Sequence, residues 1–312
     1  MKKSVLGGRT ASAYGLLVLT TFFWGANAVF AKLAVGEISP MALVSLRWLG
    51  VVLVLGPIAI RSVVSEWPVL RIRWPYLMAM GALGLAVFNG LFYWAAHHTS
   101  AINIGILQGV MPIFILLGTF GLYRIRFSLH QALGVGLTFV GVVVVGIEGD
   151  LNQLRTISLN WGDLLVLLAC ALYAAYTIGL RHRPETGAVS LFVVLASTAF
   201  LMSLPMLFIE VRLGLAQPPT AVGWAIAGLV TIFPSLLAQL FFIRGVQLIG
   251  PARAGIFLNL VPLFAVTLAF FVLDEQLRTH HLIALIFVVV GIGLAERSSM
   301  LGRSNVTEQV RK

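Results

Sequence analysis

Two pairs of polar-tipped side chains with the same spacing stand at corresponding places in the two halves of this sequence. Trp24 and Asn27 lie three residues apart, and Tyr173 and Tyr176 repeat that spacing 149 positions later. Residues three apart share one face of a helix. Aromatic rings stack on other rings and their N–H or O–H groups form hydrogen bonds, so the two faces could hold an amphipathic molecule between them. The alternative is packing between helices.

A second group of polar residues follows a helical stripe. Asn89, Tyr93 and His97 are spaced at i, i+4 and i+8, and Gln239 stands 150 positions after Asn89. A pair of amides on two matching helices could hold a zwitterion without burying a full charge. Amides also join helices to each other within lipid, so both interpretations stay open.

Arg47 is the formal charge that lies well inside a long apolar run. A charge within a membrane is costly and usually faces a cavity or a partner. Arg47 could attract the carboxylate of a substrate, or it could reach the interface or bind the carbonyls at a helix end.

The elements that position these residues follow from composition. Of the 312 residues, 59% are hydrophobic and 10% are charged, and the mean hydropathy is +0.99. Apolar runs of about 20 residues span a bilayer as helices. The sequence predicts ten such spans, at residues 11–33, 40–60, 75–96, 99–121, 129–147, 161–181, 187–209, 221–243, 252–273 and 279–296. The fold class is therefore an all-α integral membrane protein.

The charge distribution indicates membrane topology and argues against nucleic acid as a partner. With a cytoplasmic N-terminus, sixteen of the 21 Lys and Arg residues fall on the inner side, four fall outside, and Arg47 lies within a span. Such a bias follows the positive-inside rule. We therefore expect a protein of the cytoplasmic (inner) membrane with both termini in the cytoplasm and the lipid bilayer as its surroundings. A monomer or weak homodimer is expected.

The phrase GILQGVMPIF at 105–114 returns as GIFLNLVPLF at 255–264. At an offset of 150, Gly105 pairs with Gly255 and Pro112 with Pro262. The sequence thus predicts two repeats of five helices each, at residues 1–148 and 149–297, followed by a polar cytoplasmic tail at 298–312. Five is odd, so the second repeat has inverted topology, as in secondary transporters. We expect these glycines and prolines to form hinges, with each proline bending its span.

Four stretches in this order, FFWGANAVFAKLA, SPMALVSLRW, the repeated phrase and DEQLRTHHLIALIFVVVGIGL, resemble the drug/metabolite transporter superfamily and specifically its EamA-like ten-helix exporters. The resemblance covers about residues 13–296 and is greatest to amino-acid and aromatic amino-acid exporters. It implies export of small amphipathic metabolites, with purines and toxic compounds as alternatives to amino acids. Glu275 matches the acidic residue of the family between the last two spans, whereas the corresponding residue of the first half is Ile125.

Other classes of membrane protein find less support. The sequence lacks the HExxH motif of metalloproteases and the Asp-rich motifs of prenyl-transferring enzymes, so we expect no enzyme activity, no catalytic residue, no metal and no cofactor. A channel is a remote alternative. No carboxylate falls at the middle of a span, which favours facilitated diffusion or exchange over proton antiport. His97 and His98 near the outer surface leave a route for protons.

Overall fold

A computed structural model describes residues 2–124, 128–148, 160–249, 254 and 257–309, and the side chains between 12 and 294 within those ranges except that of residue 146. All regular structure in these residues is helical. The helices are α1 (Lys2–Leu33), α2 (Pro40–Ile72), α3 (Trp74–Gly81), α4 (Phe88–Ala95), α5 (Ala101–Gln108), α6 (Met111–Tyr123), α7 (Leu129–Gly146), α8 (Trp161–Gly179), α9 (Ala188–Arg212), α10 (Ala221–Val230), α11 (Ala238–Ile249), α12 (Leu260–Leu273) and α13 (Thr279–Gln309).

These helices correspond to the ten predicted spans and confirm the all-α membrane class. Seven helical stretches are long and apolar enough to cross a membrane, and three shorter apolar helices cover Leu129–Val145, Phe257–Leu273 and Thr279–Leu294. Several helices begin at a polar side chain that accepts a hydrogen bond from the first turn. Ser100 Oγ accepts from the Asn103 amide at 3.0 Å, and Asn160 Oδ1 accepts from the Asp163 amide at 2.8 Å.

The second span is longer than predicted. The sequence predicted its end at residue 60, whereas α2 continues to Ile72, a length of about 50 Å at 1.5 Å per residue. Charged residues such as Arg61 end an apolar run because they require water, but they are good helix formers and do not end a helix. The extension also reaches the seventh span, because Glu66 Oε1 accepts a hydrogen bond from the Gly187 amide at 3.0 Å.

Small residues bring the helices close together. α5 packs on α12, where a Cβ added to Gly105 would lie 2.5 Å from the Cβ of Ala265. Gly105 thus permits a close approach of two helices, as small residues do in membranes. Its predicted hinge partner, Gly255, lies outside the described residues. α2 packs along α9, and Ser45 Oγ donates to Ser203 Oγ at 2.9 Å.

Four predicted spans are interrupted helices. The third span contains a π-helical segment at Ala82–Val87 between α3 and α4, and the eighth contains one at Thr231–Leu237 between α10 and α11. The fourth span breaks between Gln108 and Met111. The ninth contains a short 3₁₀ turn, Phe257–Asn259, before α12. π-helical segments are rare and often accompany functional sites.

The two prolines predicted to bend their spans lie just after irregular segments of those spans. Pro112 is the second residue of α6, and Pro262 is the third residue of α12. In the first turn of a helix, proline loses no intrahelical hydrogen bond, because the amides there have no partner in any case. Each proline therefore lies in the first turn of a helical segment that follows the irregular part of its span.

Candidate functional site

Arg47 of α2 forms the centre of a buried polar group. Its side chain is 6% exposed. The guanidinium Nη1 donates to Tyr93 Oη at 2.5 Å, to Asn89 Oδ1 at 2.7 Å, and to Asn27 Oδ1 at 3.4 Å. We call Asn27, Arg47, Asn89 and Tyr93 the Arg47 cluster. It joins α1, α2 and α4.

The π-helical segment of the third span positions two members of the Arg47 cluster. Asn89 and Tyr93 lie one turn apart in α4, directly after Ala82–Val87. Asn89 Nδ2 donates to the Leu85 carbonyl within that segment at 2.6 Å. Its Oδ1 is thereby turned toward Arg47. Tyr93 Oη in turn donates to Asn27 Oδ1 at 3.1 Å, so the orientation of each acceptor is fixed by another hydrogen bond.

The charge of Arg47 has no carboxylate partner among the described residues. Its Nε is buried without a hydrogen bond, and its Nη2 takes part in none with the described residues. The rings of Trp48 and Tyr93 lie 5.2 and 5.9 Å from its Cζ, within the range of cation–π attraction. A buried cation held only by neutral groups retains a strong preference for an anion. The Arg47 cluster is thus suited to bind a carboxylate.

An aromatic series connects the Arg47 cluster with the sixth span. Tyr173 stacks on Phe88 with ring centroids 4.9 Å apart, and on Tyr176 at 5.5 Å. Phe92 continues the series from Phe88 to Tyr93, at 6.0 and 5.7 Å. Tyr173 and Tyr176 are half-buried, and their hydroxyls form no hydrogen bond with the described residues. These hydroxyls are therefore free to bind another molecule.

Trp24 and Asn27 contact different partners although they share a face of α1. The Trp24 indole donates to the Pro234 carbonyl at 3.1 Å, and its ring lies 5.3 Å from that of Phe242. Trp24 therefore joins α1 to the eighth span, whereas Asn27 joins it to Arg47. Gln239 is half-buried and forms no hydrogen bond with the described residues. It does not join the Arg47 cluster.

His97 is exposed at the predicted outer end of the third span, on the wall of a surface cleft. It is separate from the Arg47 cluster although Tyr93 lies one turn before it. Partial burial lowers the pKa of His97 below its usual value of 6.5, and the positive charges of His98 and Lys32 act in the same direction. Its surroundings therefore favour the neutral form of the ring.

Polar contacts at the predicted outer surface join the ends of several spans. Lys32 Nζ donates to the carbonyls of Ala96 and Thr99, each at 2.9 Å. Glu275 accepts from the Ala101 amide at 2.8 Å and from the Ile102 amide at 2.9 Å, which places a negative charge at the start of α5. The acidic residue that carried the family resemblance thus caps a helix from another part of the chain. Ile125, its first-half counterpart, lies outside the described residues.

Pro234 is a member of the site region that the sequence did not indicate. Proline has no N–H to donate to the carbonyl of Val230 four residues earlier, and Ser235 Oγ donates to that carbonyl at 2.7 Å. The signal that could have indicated it is a proline followed by a serine within an apolar span, where side chains commonly replace lost backbone hydrogen bonds.

Within the described part of the chain, no three His, Cys, Asp or Glu side chains come together in a way that could hold a metal ion.

Comparison with known proteins agrees with this arrangement. The EamA-like transporter family model matches residues 11–147 and again residues 160–296. YyaM of Bacillus subtilis (strain 168), an uncharacterized transporter, is 26% identical over 309 residues, which cover 95% of this chain and 97% of YyaM. YedA of Escherichia coli (strain K12), an uncharacterized inner membrane transporter, is 24% identical over 90% of this chain and 89% of YedA. A crystal structure with 16% sequence identity superposes with a TM-score of 0.64, covering 94% of this chain and 98% of the other, which shows a shared fold.

Proposed function

Because the chain belongs to the EamA-like transporter family of the drug/metabolite transporter superfamily, we propose that it exports small amphipathic metabolites, and chiefly amino acids, including aromatic ones. The protein is a multi-pass membrane transporter. The names of its relatives give no substrate, so the substrate is inferred from the site. The inner membrane is the proposed location, supported by the name of the Escherichia coli relative and by the excess of basic residues in the predicted cytoplasmic loops.

The unpaired charge of Arg47 carries this proposal. A guanidinium presents several N–H groups in a plane that fits the two oxygens of a carboxylate. Nη1 is held by Asn27, Asn89 and Tyr93, while Nε is buried without a partner. A carboxylate would supply the missing partner and neutralise the charge. An amino acid brings that carboxylate together with a side chain of variable polarity.

The aromatic series supports substrates with a ring. Phe88 lies next in sequence to Asn89 and stacks on Tyr173, so apolar aromatic surface begins close to the Arg47 cluster. A substrate ring could stack there while the Tyr173 and Tyr176 hydroxyls bind its polar groups. The site thus offers an anion-binding end and an aromatic end, as an aromatic amino acid requires.

Transport is proposed to proceed by alternating access or facilitated diffusion, without a proton-coupled carboxylate at the middle of a span. The sequence-predicted inverted repeat supports such a mechanism, because matched halves can exchange two shapes around one site. The family model matches each half of the chain separately. The interruptions of the third, fourth, eighth and ninth spans are the places where the helices could move.

Gln239 favours a second candidate substrate class. Its half-buried amide has free donors and acceptors, and Trp24 and Phe242 supply aromatic surface within the same pair of helices. An uncharged ring with polar edges, such as a purine, would fit an amide beside aromatic rings without using Arg47. Purines and related compounds are therefore the alternative to amino acids.

Uptake by proteoliposomes tests the proposal. Purified protein would be reconstituted, and entry of radiolabelled phenylalanine, tryptophan, leucine and adenine measured with and without an imposed pH gradient and with unlabelled competitors. We expect saturable uptake of the aromatic amino acids that the gradient does not drive. Uptake of adenine alone would favour the second candidate, and flux that follows the gradient would contradict the uncoupled mechanism.

A further inference from the structure

A cleft of about 600 Å³ opens at the outer surface, away from the Arg47 cluster. Its walls come from the loop between α1 and α2, the end of the third span, and the last turns of α9 with the loop that follows. Most of its lining is apolar, with Met41, Met206 and Trp94 among the larger side chains. These residues offer an apolar surface of the size that a ring or a short hydrocarbon chain fills.

Two polar side chains on the wall of this cleft are buried without complete hydrogen bonding. Glu210 is 8% exposed and Ser39 is 2% exposed. Glu210 Oε1 accepts from the Met41 amide at 3.3 Å, but its Oε2 has no hydrogen-bond partner, and neither does Ser39 Oγ. Buried polar atoms are nearly always paired in native proteins, so two unpaired oxygens in one cleft indicate an absent donor.

From this geometry we propose that the outer cleft binds a protonated primary amine attached to an apolar body. An ammonium group carries three N–H donors and a positive charge, and it would supply what Glu210 Oε2 and Ser39 Oγ lack. The apolar body would occupy the surface of Met41, Met206 and Trp94. The carboxylate selects a cation, and the apolar walls select against small, strongly hydrated cations such as sodium.

This cleft is a different site from the Arg47 cluster and has the opposite charge preference. Met41 precedes Arg47 by six residues in α2, which separates them by about 9 Å along the helix axis. Besides Glu210, the titratable side chains that line the cleft are His97 and His98. The inference does not rest on the proposed substrate, because it concerns binding from the outside and not flux.

The ammonium group could come from a soluble amine or from the headgroup of phosphatidylethanolamine. Both have the same recognised chemistry, and they can be separated by the lipid composition. Full-length protein would be placed in nanodiscs of phosphatidylcholine, whose quaternary ammonium has no N–H donor, and binding of 2-phenylethylamine measured by calorimetry. The measurement would be repeated with nanodiscs that contain phosphatidylethanolamine. Weaker apparent binding there would identify the lipid as the occupant, and equal binding would identify the soluble amine.

Two matched substitutions test the role of Glu210. Glu210→Gln keeps an oxygen for the Met41 amide and removes the charge, and we expect at least about tenfold weaker binding of 2-phenylethylamine. Glu37→Gln is the control, because Glu37 lies on the same surface and accepts a hydrogen bond from Thr220 Oγ1 outside the cleft. This control and Arg47→Ala should both leave amine binding unchanged.

The proposal would be overturned by equal binding to wild type and Glu210→Gln. It would equally be overturned if 2-phenylethanol bound as well as the amine, since the carboxylate would then select nothing. Should Glu210→Gln fail to fold, Ser39→Ala provides the second test, with about threefold weaker binding expected from the loss of one neutral hydrogen bond. Loss of amine binding in Arg47→Ala with no change in Glu210→Gln would assign the amine to the central site and contradict the inference.

Discussion

The third and eighth spans have matching backbones but different side chains. Each contains a π-helical segment, Ala82–Val87 in one and Thr231–Leu237 in the other. At an offset of 150, however, Asn89 corresponds to Gln239 and Tyr93 to Ile243. The first pair binds Arg47, whereas Gln239 forms no hydrogen bond with the described residues.

The same contrast extends to other parts of the two halves. The fourth and ninth spans end at Arg124 and Asp274, both with a positive φ, at 53° and 51°, and these residues are again 150 apart. In the second span, Arg47 is buried, while Leu195 to Ser197, around the corresponding place in α9, carry no charge. The irregular backbone thus recurs in both halves, and the charged chemistry occurs in one. A site built in this way would hold its ligand in one orientation.

Removing the charge of Arg47, which is found in one half only, should have the largest effect on transport. Arg47→Ala is expected to lower the initial rate of amino-acid uptake by about a hundredfold at low substrate concentration, because a buried charge partner would be lost. Proteoliposome uptake measures this effect. Arg244→Ala in α11 is the matched control, since Arg244 is exposed and its guanidinium donates a hydrogen bond to Gln247.

An Arg47→Ala variant that transports amino acids at the wild-type rate would contradict the assignment of the carboxylate to Arg47. A parallel assay with adenine sharpens the comparison between the halves. If the second candidate substrate binds beside Gln239, adenine flux should persist in Arg47→Ala and fall in Gln239→Ala.

The next smaller effect comes from removing single tyrosine hydroxyls, one from each half of the chain. Tyr93→Phe removes a hydrogen bond to the Arg47 guanidinium, and the half-saturation concentration for phenylalanine should rise about tenfold. Tyr176→Phe removes a hydroxyl that is unpaired, so phenylalanine uptake should change by less than about twofold. Concentration series in proteoliposomes provide both values. An equal loss in the two variants would mean that the Tyr176 hydroxyl contributes to phenylalanine binding as much as the Tyr93 hydroxyl does, which would contradict this contrast between the halves.

How much of this arrangement could be predicted from the sequence depends on the kind of feature. Composition and periodicity predicted the helical spans, because apolar length and charge position have direct physical consequences in lipid. Arg47 was singled out as a buried charge, and Asn89 with Tyr93 as a helical stripe. Their meeting in one cluster was not predicted, since spacing within a helix does not determine which helix lies beside it.

Other features had weak signals or none. The π-helical segments add one residue to a turn without a characteristic sequence, so they were not expected. The Pro234 carbonyl is a backbone group, and only the missing N–H of proline marks its surroundings. The sequence predicts the end of the second span at residue 60 because Arg61 ends the apolar run there, but a charge does not end a helix, and α2 continues to Ile72.

Packing against the π-helical segment gives a smaller, structural effect. A Cβ added to Gly84 would lie 2.2 Å from the Tyr176 ring, whereas one added to Gly228 in the eighth span would meet nothing within 4 Å. Gly84→Ala should therefore destabilise the protein by about 1–3 kcal/mol through overpacking, and Gly228→Ala should not. Thermal unfolding in detergent would show a lower melting temperature for Gly84→Ala alone. Equal melting temperatures would mean that Tyr176 moves aside freely.

The smallest effect concerns the pH dependence of uptake, which we expect to depend on His97 at the predicted outer end of the third span. Partial burial lowers the pKa of His97, with His98 and Lys32 adding to the effect, so its neutral form persists below pH 6.5. Uptake at equal pH on both sides should change by less than about twofold from pH 6.5 to 8. In more acidic medium, protonated His97 adds positive charge beside the predicted outer cleft. If the rate of uptake declines there because of this charge, the decline should be absent in His97→Asn. A decline in uptake that persists in His97→Asn but is absent in His98→Asn would contradict this prediction and assign the effect to His98.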